Sequence, residues 1–140
     1  IMKISTKGRY GLTIMIELAK HYGEGPIPLR QIAAEKDLSE AYLEQLVSPL
    51  RNAGLVKSVR GAYGGYMLAD LPVNISAADV IRVLEGPIQP VEGIENEEAP
   101  QRELWMRIRD AVKNVLDTTS LDDLAKYTDD KSNDGYMFYI

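Results

Sequence analysis

Residues 38–68 read LSEAYLEQLVSPLRNAGLVKSVRGAYGGYML, and the order of signals in this stretch decides the fold. Asp37, Leu38 and Ser39 form a turn that ends on an N-cap residue, since a serine oxygen can accept a hydrogen bond from a free first-turn amide. From Ser39 onward, Leu43, Leu46, Val47 and Leu50 recur at steps of three and four. That spacing predicts a helix with one buried face, and Gly54 supplies a left-handed stop. Pro49 lies inside this helix; it lacks an amide hydrogen and crowds the preceding turn, so a bend is expected near Val47 or Ser48. Two short alternating segments follow, 55–59 and 66–68, joined by RGAYGG, which predicts a hairpin with a glycine-bearing tip.

Working outward toward the N-terminus, GEGPIP at 23–28 is a turn signal. Before it, Tyr10, Ile14 and Leu18 recur every four positions, which predicts a largely buried helix from Ser5 or Thr6 to Tyr22. After it, 29–36 reads as a short helix that turns Ile32 and Ala33 inward. Helix, helix, turn, helix, hairpin is the order of a winged helix-turn-helix, in which the third helix enters the major groove and the hairpin loop touches the backbone.

Toward the C-terminus, Ser76 and Asp79 form a capping-box pair that opens a helix over 76–85, with Val80, Ile81, Val83 and Leu84 inward and Gly86-Pro87 as its end. Residues 88–101 carry Pro90, Gly93 and Pro100 with four glutamates and read as an acidic, exposed and mobile loop. The longest amphipathic run is 102–117, where Leu104, Trp105, Ile108, Ala111, Val112, Val115 and Leu116 form a stripe. Ser120 and Asp123 cap a last short helix, and a polar segment leads to the aromatic end Tyr136-Met137-Phe138-Tyr139-Ile140. The expected fold class is mainly α with a small β-hairpin wing. Its expected units are a DNA-binding part at 1–74, a linker and dimerisation part at 75–128, and a free tail at 129–140.

Composition narrows the function. The 140 residues contain no cysteine and a single histidine, His21, which removes thiolate metal sites, disulfides and thiol redox sensing and leaves little material for imidazole chemistry. Paired acids such as Asp122-Asp123, Asp129-Asp130 and the glutamates of 92–98 have no nucleophile or base beside them, so solvated acid rather than an enzyme is expected. No run approaches the roughly 18 apolar residues of a membrane span and no secretory leader opens the chain, so a cytoplasmic location is expected. Ile1 precedes Met2, and Met2 reads as the natural start. The net charge of −5 looks wrong for a DNA ligand until it is divided: residues 1–70 hold nine Lys/Arg against seven Asp/Glu, residues 71–140 seven against fourteen.

With its apolar face buried, the third helix offers Tyr42, Glu44, Gln45 and Arg51 behind Ser39. Gln45 can pair with adenine, Glu44 can accept from a cytosine amino group, and Tyr42 can donate to phosphate. In the wing, Arg60 and Lys57 supply charge for phosphate or a narrow minor groove, and Gly64 and Gly65 allow close approach to a sugar-phosphate chain. Lys3, Lys7 and Arg9 form a third basic cluster, where Ser5 and free helix amides can also hold a phosphate. The stripe residues Leu104, Trp105, Ile108, Val112 and Val115 read as a dimer seam, because so short a C-terminal half does not need them all to cover itself.

MKISTKGRYGL at 2–12 and the LEQL, AGLV and RGxxGGY elements of 38–68 strongly resemble the Rrf2 family of bacterial winged-helix regulators, and ISAADVIRVLEGPI at 75–88 is similar to that family's linker helix. The resemblance spans nearly the whole chain. It implies a homodimer that packs the long helix across a two-fold axis and sets two wings on a partly palindromic site in double-stranded DNA. Many members sense iron-sulfur status through three cysteines in the loop after the linker helix. Residues 88–101 have none, so such sensing is excluded and no cofactor is expected.

The cysteine-free loop, the ELWMRIRDAV helix and the YMFYI terminus are most similar to the branch of the family that represses cysteine metabolism in Gram-positive bacteria. That resemblance implies O-acetylserine thiol-lyase as corepressor, with O-acetylserine relieving repression. The tail's Tyr139-Ile140 end resembles the isoleucine-terminated tail by which serine acetyltransferase enters the thiol-lyase active site, so it reads either as a docking peptide or as an apolar end packed on its own dimer. The alternative from another class is a winged-helix interaction adaptor that modulates a metabolic enzyme without reading DNA.

Overall fold

The computed structural model describes residues 4–127. Its elements run α1 (Thr6–Lys20), α2 (Leu29–Lys36), α3 (Glu40–Asn52), β1 (Val56–Val59), β2 (Gly65–Leu68), α4 (Ala77–Glu85), α5 (Ala99–Thr118) and α6 (Leu121–Lys126), with short 3-10 turns at Pro72–Asn74 and Ile94–Asn96. Lys3 and the tail residues Tyr139 and Ile140 lie outside the described residues.

Three buried faces meet at the centre. Ile14, Met15 and Leu18 of α1 pack with Leu43, Leu46, Val47 and Leu50 of α3, and Val56 and Leu68 close the cluster from the hairpin. Fully burying each such side chain contributes about 1.5–3 kcal/mol, so this cluster is what orients α3. Ser39 caps α3 by accepting from the Tyr42 amide at 3.2 Å, and the helix continues through Pro49 to Asn52. Gly54 follows with φ +81.

The same cluster runs across residues 74–75, because Val80 and Leu84 of α4 and Leu121 of α6 belong to it. α6 reaches the core through a second pairing. The capping boxes of Ser76 with Asp79 and of Ser120 with Asp123 lie side by side, joined by Ala77 N to Thr119 O and Leu121 N to Ile75 O, both 2.8 Å.

A smaller cluster of Ala78, Ile81 and Ile88 receives Val112 and Leu116 from α5 together with Ile4 and Leu12. Two expectations change here. Ile88 and Pro90 are buried rather than exposed, because Ile88 completes this cluster. α5 begins at Ala99 rather than 102: Pro100 falls in the first turn, where its missing amide hydrogen has no intrahelical partner to lose.

One buried charge is absent from the sequence reading. Glu17 lies on the inner face of α1 at 5% exposure and accepts from Lys20 at 3.2 Å and Lys36 at 3.0 Å. Burial pushes its carboxyl up, but the two ammonium groups outweigh that and hold it below the ordinary value. The pair ties α2 to α1.

Candidate nucleic-acid interface

The hairpin pairs antiparallel in the register Val56 with Leu68 through Val59 with Gly65. It is also held from outside: Ile27 N donates to Tyr66 O at 2.9 Å and Tyr66 N donates to Ile27 O at 2.8 Å. This single rung fastens the wing to the α1–α2 connection. It accounts for two glycines from within the fold. A Cβ on Gly65 would lie 2.4 Å from the Ile27 carbonyl, and one on Gly64 would lie 2.2 Å from Val59 O. Close approach by the protein's own backbone is therefore needed at both glycines. Gly61 is the wing glycine in open space, with φ +116.

Tyr66 connects the wing to α3. Its hydroxyl donates to Glu44 Oε2 at 3.4 Å, and burial together with the Glu44 charge raises its pKa above the ordinary value, with Arg51 acting in the opposite sense. Glu44 and Arg51, both expected on the reading face, therefore flank a wing residue that sequence reasoning missed. The signal was the tyrosine that closes RGxxGGY. Gln45, Lys57 and Arg60 are exposed, Tyr42 is half-buried, and Ser39 is used as the cap.

The basic start of α1 adjoins this face. Tyr10 meets Tyr42 edge-to-face at 5.9 Å between ring centroids; Lys7, about one turn earlier, and Arg9, its neighbour in the chain, are exposed. The expected phosphate site at the α1 amides is occupied otherwise. The carboxylate of Glu85, the last residue of α4, accepts from Ser5 N at 3.1 Å, Gly8 N at 3.1 Å and the Ser5 hydroxyl. A helix start carries positive partial charge, and here α4 supplies the anion. Ser5 thus faces Glu85 with both of its donors.

The Ser5 hydroxyl bond is the main cause holding the Glu85 carboxyl below its ordinary value of 4.5; burial opposes it, and the two amides and Lys7 assist. The ionised clasp therefore stabilises the fold at pH above about 4.5, and that contribution disappears as pH falls through the lowered folded value. Glu85→Gln is expected to cost about 1 kcal/mol in urea melts at pH 7 and progressively less toward pH 3. An equal cost at both pH values would remove the charge from the account.

Among the described residues no group of three or more His, Asp or Glu is placed to hold a metal, and no helix is long and apolar enough to cross a membrane. Along α5, Leu104, Ile108 and Val115 are 47%, 39% and 62% exposed and share one face. Two of the expected seam residues differ: Val112 turns to the Ala78 cluster, and Trp105 is half-buried with its Nε1 inside the chain.

Comparison with known proteins matches residues 4–127 to the family model described as Rrf2, iron-dependent transcriptional regulator. The chain is 71% identical to the HTH-type transcriptional regulator CymR of Bacillus subtilis, over 99% of this chain and 100% of that one. It is 40% identical to the HTH-type transcriptional regulator IscR of Aliivibrio salmonicida, over 88% of this chain and 77% of that protein. Its structure is similar to that of CymR, the global cysteine regulator of B. subtilis, with a TM-score of 0.88 at 72% identity, covering 92% of this chain and 100% of the other.

Proposed function

We propose that this chain, which belongs to the Rrf2 family of transcriptional regulators, is a dimeric repressor of genes for sulfur uptake and cysteine synthesis, with O-acetylserine thiol-lyase as its corepressor. Its place among named transcriptional regulators is that of a DNA-binding protein and not an enzyme. The observation that supports DNA binding is the joined surface of α3 and the wing, where an exposed polar helix face and an exposed Arg60 are fastened together through Tyr66. The cysteine part of the reading is supported by 71% identity to CymR, the global cysteine regulator of B. subtilis.

In this reading Glu44 and Gln45 contact base edges, Tyr42 and Arg51 contact phosphate, and Arg60 with Lys57 follows the backbone into the adjoining minor groove. Lys7 and Arg9 add phosphate contacts through their side chains, since Glu85 holds the α1 amides. The open face of α5 pairs with its counterpart and spaces two such surfaces over a partly palindromic operator.

Fluorescence anisotropy on a sulfur-metabolism promoter fragment, with and without thiol-lyase and O-acetylserine, tests the whole reading. Affinity is expected to fall steeply with salt, to rise with thiol-lyase, and to drop again when O-acetylserine is added. Arg60→Ala is expected to weaken binding about tenfold and to flatten the salt dependence by about one phosphate contact per protomer. Weak, salt-insensitive binding throughout would favour the adaptor instead.

The tail gives the corepressor a handle in this proposal: Tyr139 and Ile140 dock in the thiol-lyase active site and compete with O-acetylserine. Removing Ile140 should abolish thiol-lyase binding in calorimetry while leaving DNA affinity intact. Unchanged thiol-lyase affinity would assign the tail to the dimer itself.

A further inference from the structure

Between the segment 89–95 and α5 lies a cavity of about 500 Å3, lined by Arg102, Met106 and Arg109 of the helix and by Glu92, Ile94 and Glu95 of the facing segment. That volume is within the range of small-molecule sites. The three helix residues follow at steps of four and three, so they share one face. Successive residues turn by about 100°, which places them close to half a turn from Leu104, Ile108 and Val115. The cavity therefore lies on the opposite side of α5 from the face assigned above to a second copy.

Its arginines and glutamates are not paired with one another, although Arg109 forms an ion pair with Asp110. Arg102 is oriented by donating from Nη1 to Glu97 O at 3.2 Å, and Arg109 by donating from Nε to Asp110 at 3.0 Å. A guanidinium has five N–H donors, so each retains others for a ligand. Glu92 and Glu95 line the same cavity and form no ion pair with either arginine, or with any other cation among the described residues. Two cations and two anions thus face one space that none of their mutual contacts closes.

We propose that this cavity is a binding site for a small zwitterion, an α-amino acid with a short uncharged side chain. Its carboxylate meets the guanidinium groups, for which a planar fork is the matched donor, and its ammonium group meets the glutamates. Ile94 and Met106 supply the apolar wall for the side chain. A dicarboxylate would be opposed by the glutamates and a diamine by the arginines, so the mixed lining selects a ligand that carries both signs. Residues 89–95 lie a few positions beyond Glu85, so an occupant here stands close in the chain to the clasp on α1.

Isothermal titration of the full-length chain with the twenty L-amino acids tests this. The expected result is saturable binding of at least one with a short uncharged side chain and of none with a charged one, no binding of its N-acetylated form or of its decarboxylated amine, and about tenfold weaker binding to Arg109→Gln and to Glu95→Gln. Both substitutions leave the Arg102 bond to Glu97 in place, and a thermal melt of each variant verifies that the fold is kept. No saturable heat from any amino acid up to about 10 mM, or binding indifferent to both substitutions, would overturn the proposal. The titration contains no DNA, so its failure is distinguishable from a failure of the reading given to α3 and the wing.

Discussion

Gly65→Ala is expected to destabilise the fold by about 2–3 kcal/mol, to lower the midpoint of thermal unfolding by roughly 10 °C, and to reduce operator affinity more than tenfold. The added methyl would lie 2.4 Å from the carbonyl carbon and oxygen of Ile27 and 2.6 Å from Pro28 N, all backbone atoms that cannot rotate away. Relief requires the wing to separate from the α1–α2 connection. That breaks the bonds of 2.9 and 2.8 Å between Ile27 and Tyr66 and moves the Tyr66 hydroxyl from Glu44. Gly61→Ala is the control. It has positive φ but nothing within 4 Å, so strain alone should cost it about 1 kcal/mol. Urea melts and anisotropy on both variants check the pair. A Gly65→Ala protein no less stable than Gly61→Ala would mean that the rung to Ile27 does not hold the wing.

The contrast between these glycines shows where sequence reasoning stops. RGAYGG identifies a hairpin tip because turns need positive φ, and that is a local property of the chain. It does not reveal which backbone passes behind Gly65, since Ile27 lies 38 residues earlier in a segment that reads only as a turn. Signals resolved within one helical turn were legible: the Ser39 cap, the buried face of α3, and both capping boxes. Contacts formed between distant elements were not. Glu85 at the end of α4 has its partners in Ser5 and Gly8, and Glu17 of α1 is held in the core by Lys36. For both carboxylates, the partner that gives the residue its meaning comes from another element.

The same limit applies to the apolar face of α5, and there the consequence for DNA binding is largest. Ile108→Glu is expected to convert the protein from dimer to monomer in sedimentation at about 10 μM and to weaken operator binding on the order of a hundredfold. Ile108 is 39% exposed between Leu104 and Val115, so a carboxylate there is hydrated in the single chain and costs its fold little. Buried against a second copy, it would meet an apolar surface with no partner for its charge. The two half-sites would then be engaged by separate molecules, so the gain from linking them is lost and the salt dependence should approach half its original slope. Val112→Glu separates this from simple damage to α5. Val112 packs against Ala78, Ile81 and Ile88, so its replacement should lower the stability of the chain itself. If Ile108→Glu remained a dimer with full operator affinity, the two-fold contact would lie elsewhere, and the exposed stripe on α5 would need another partner.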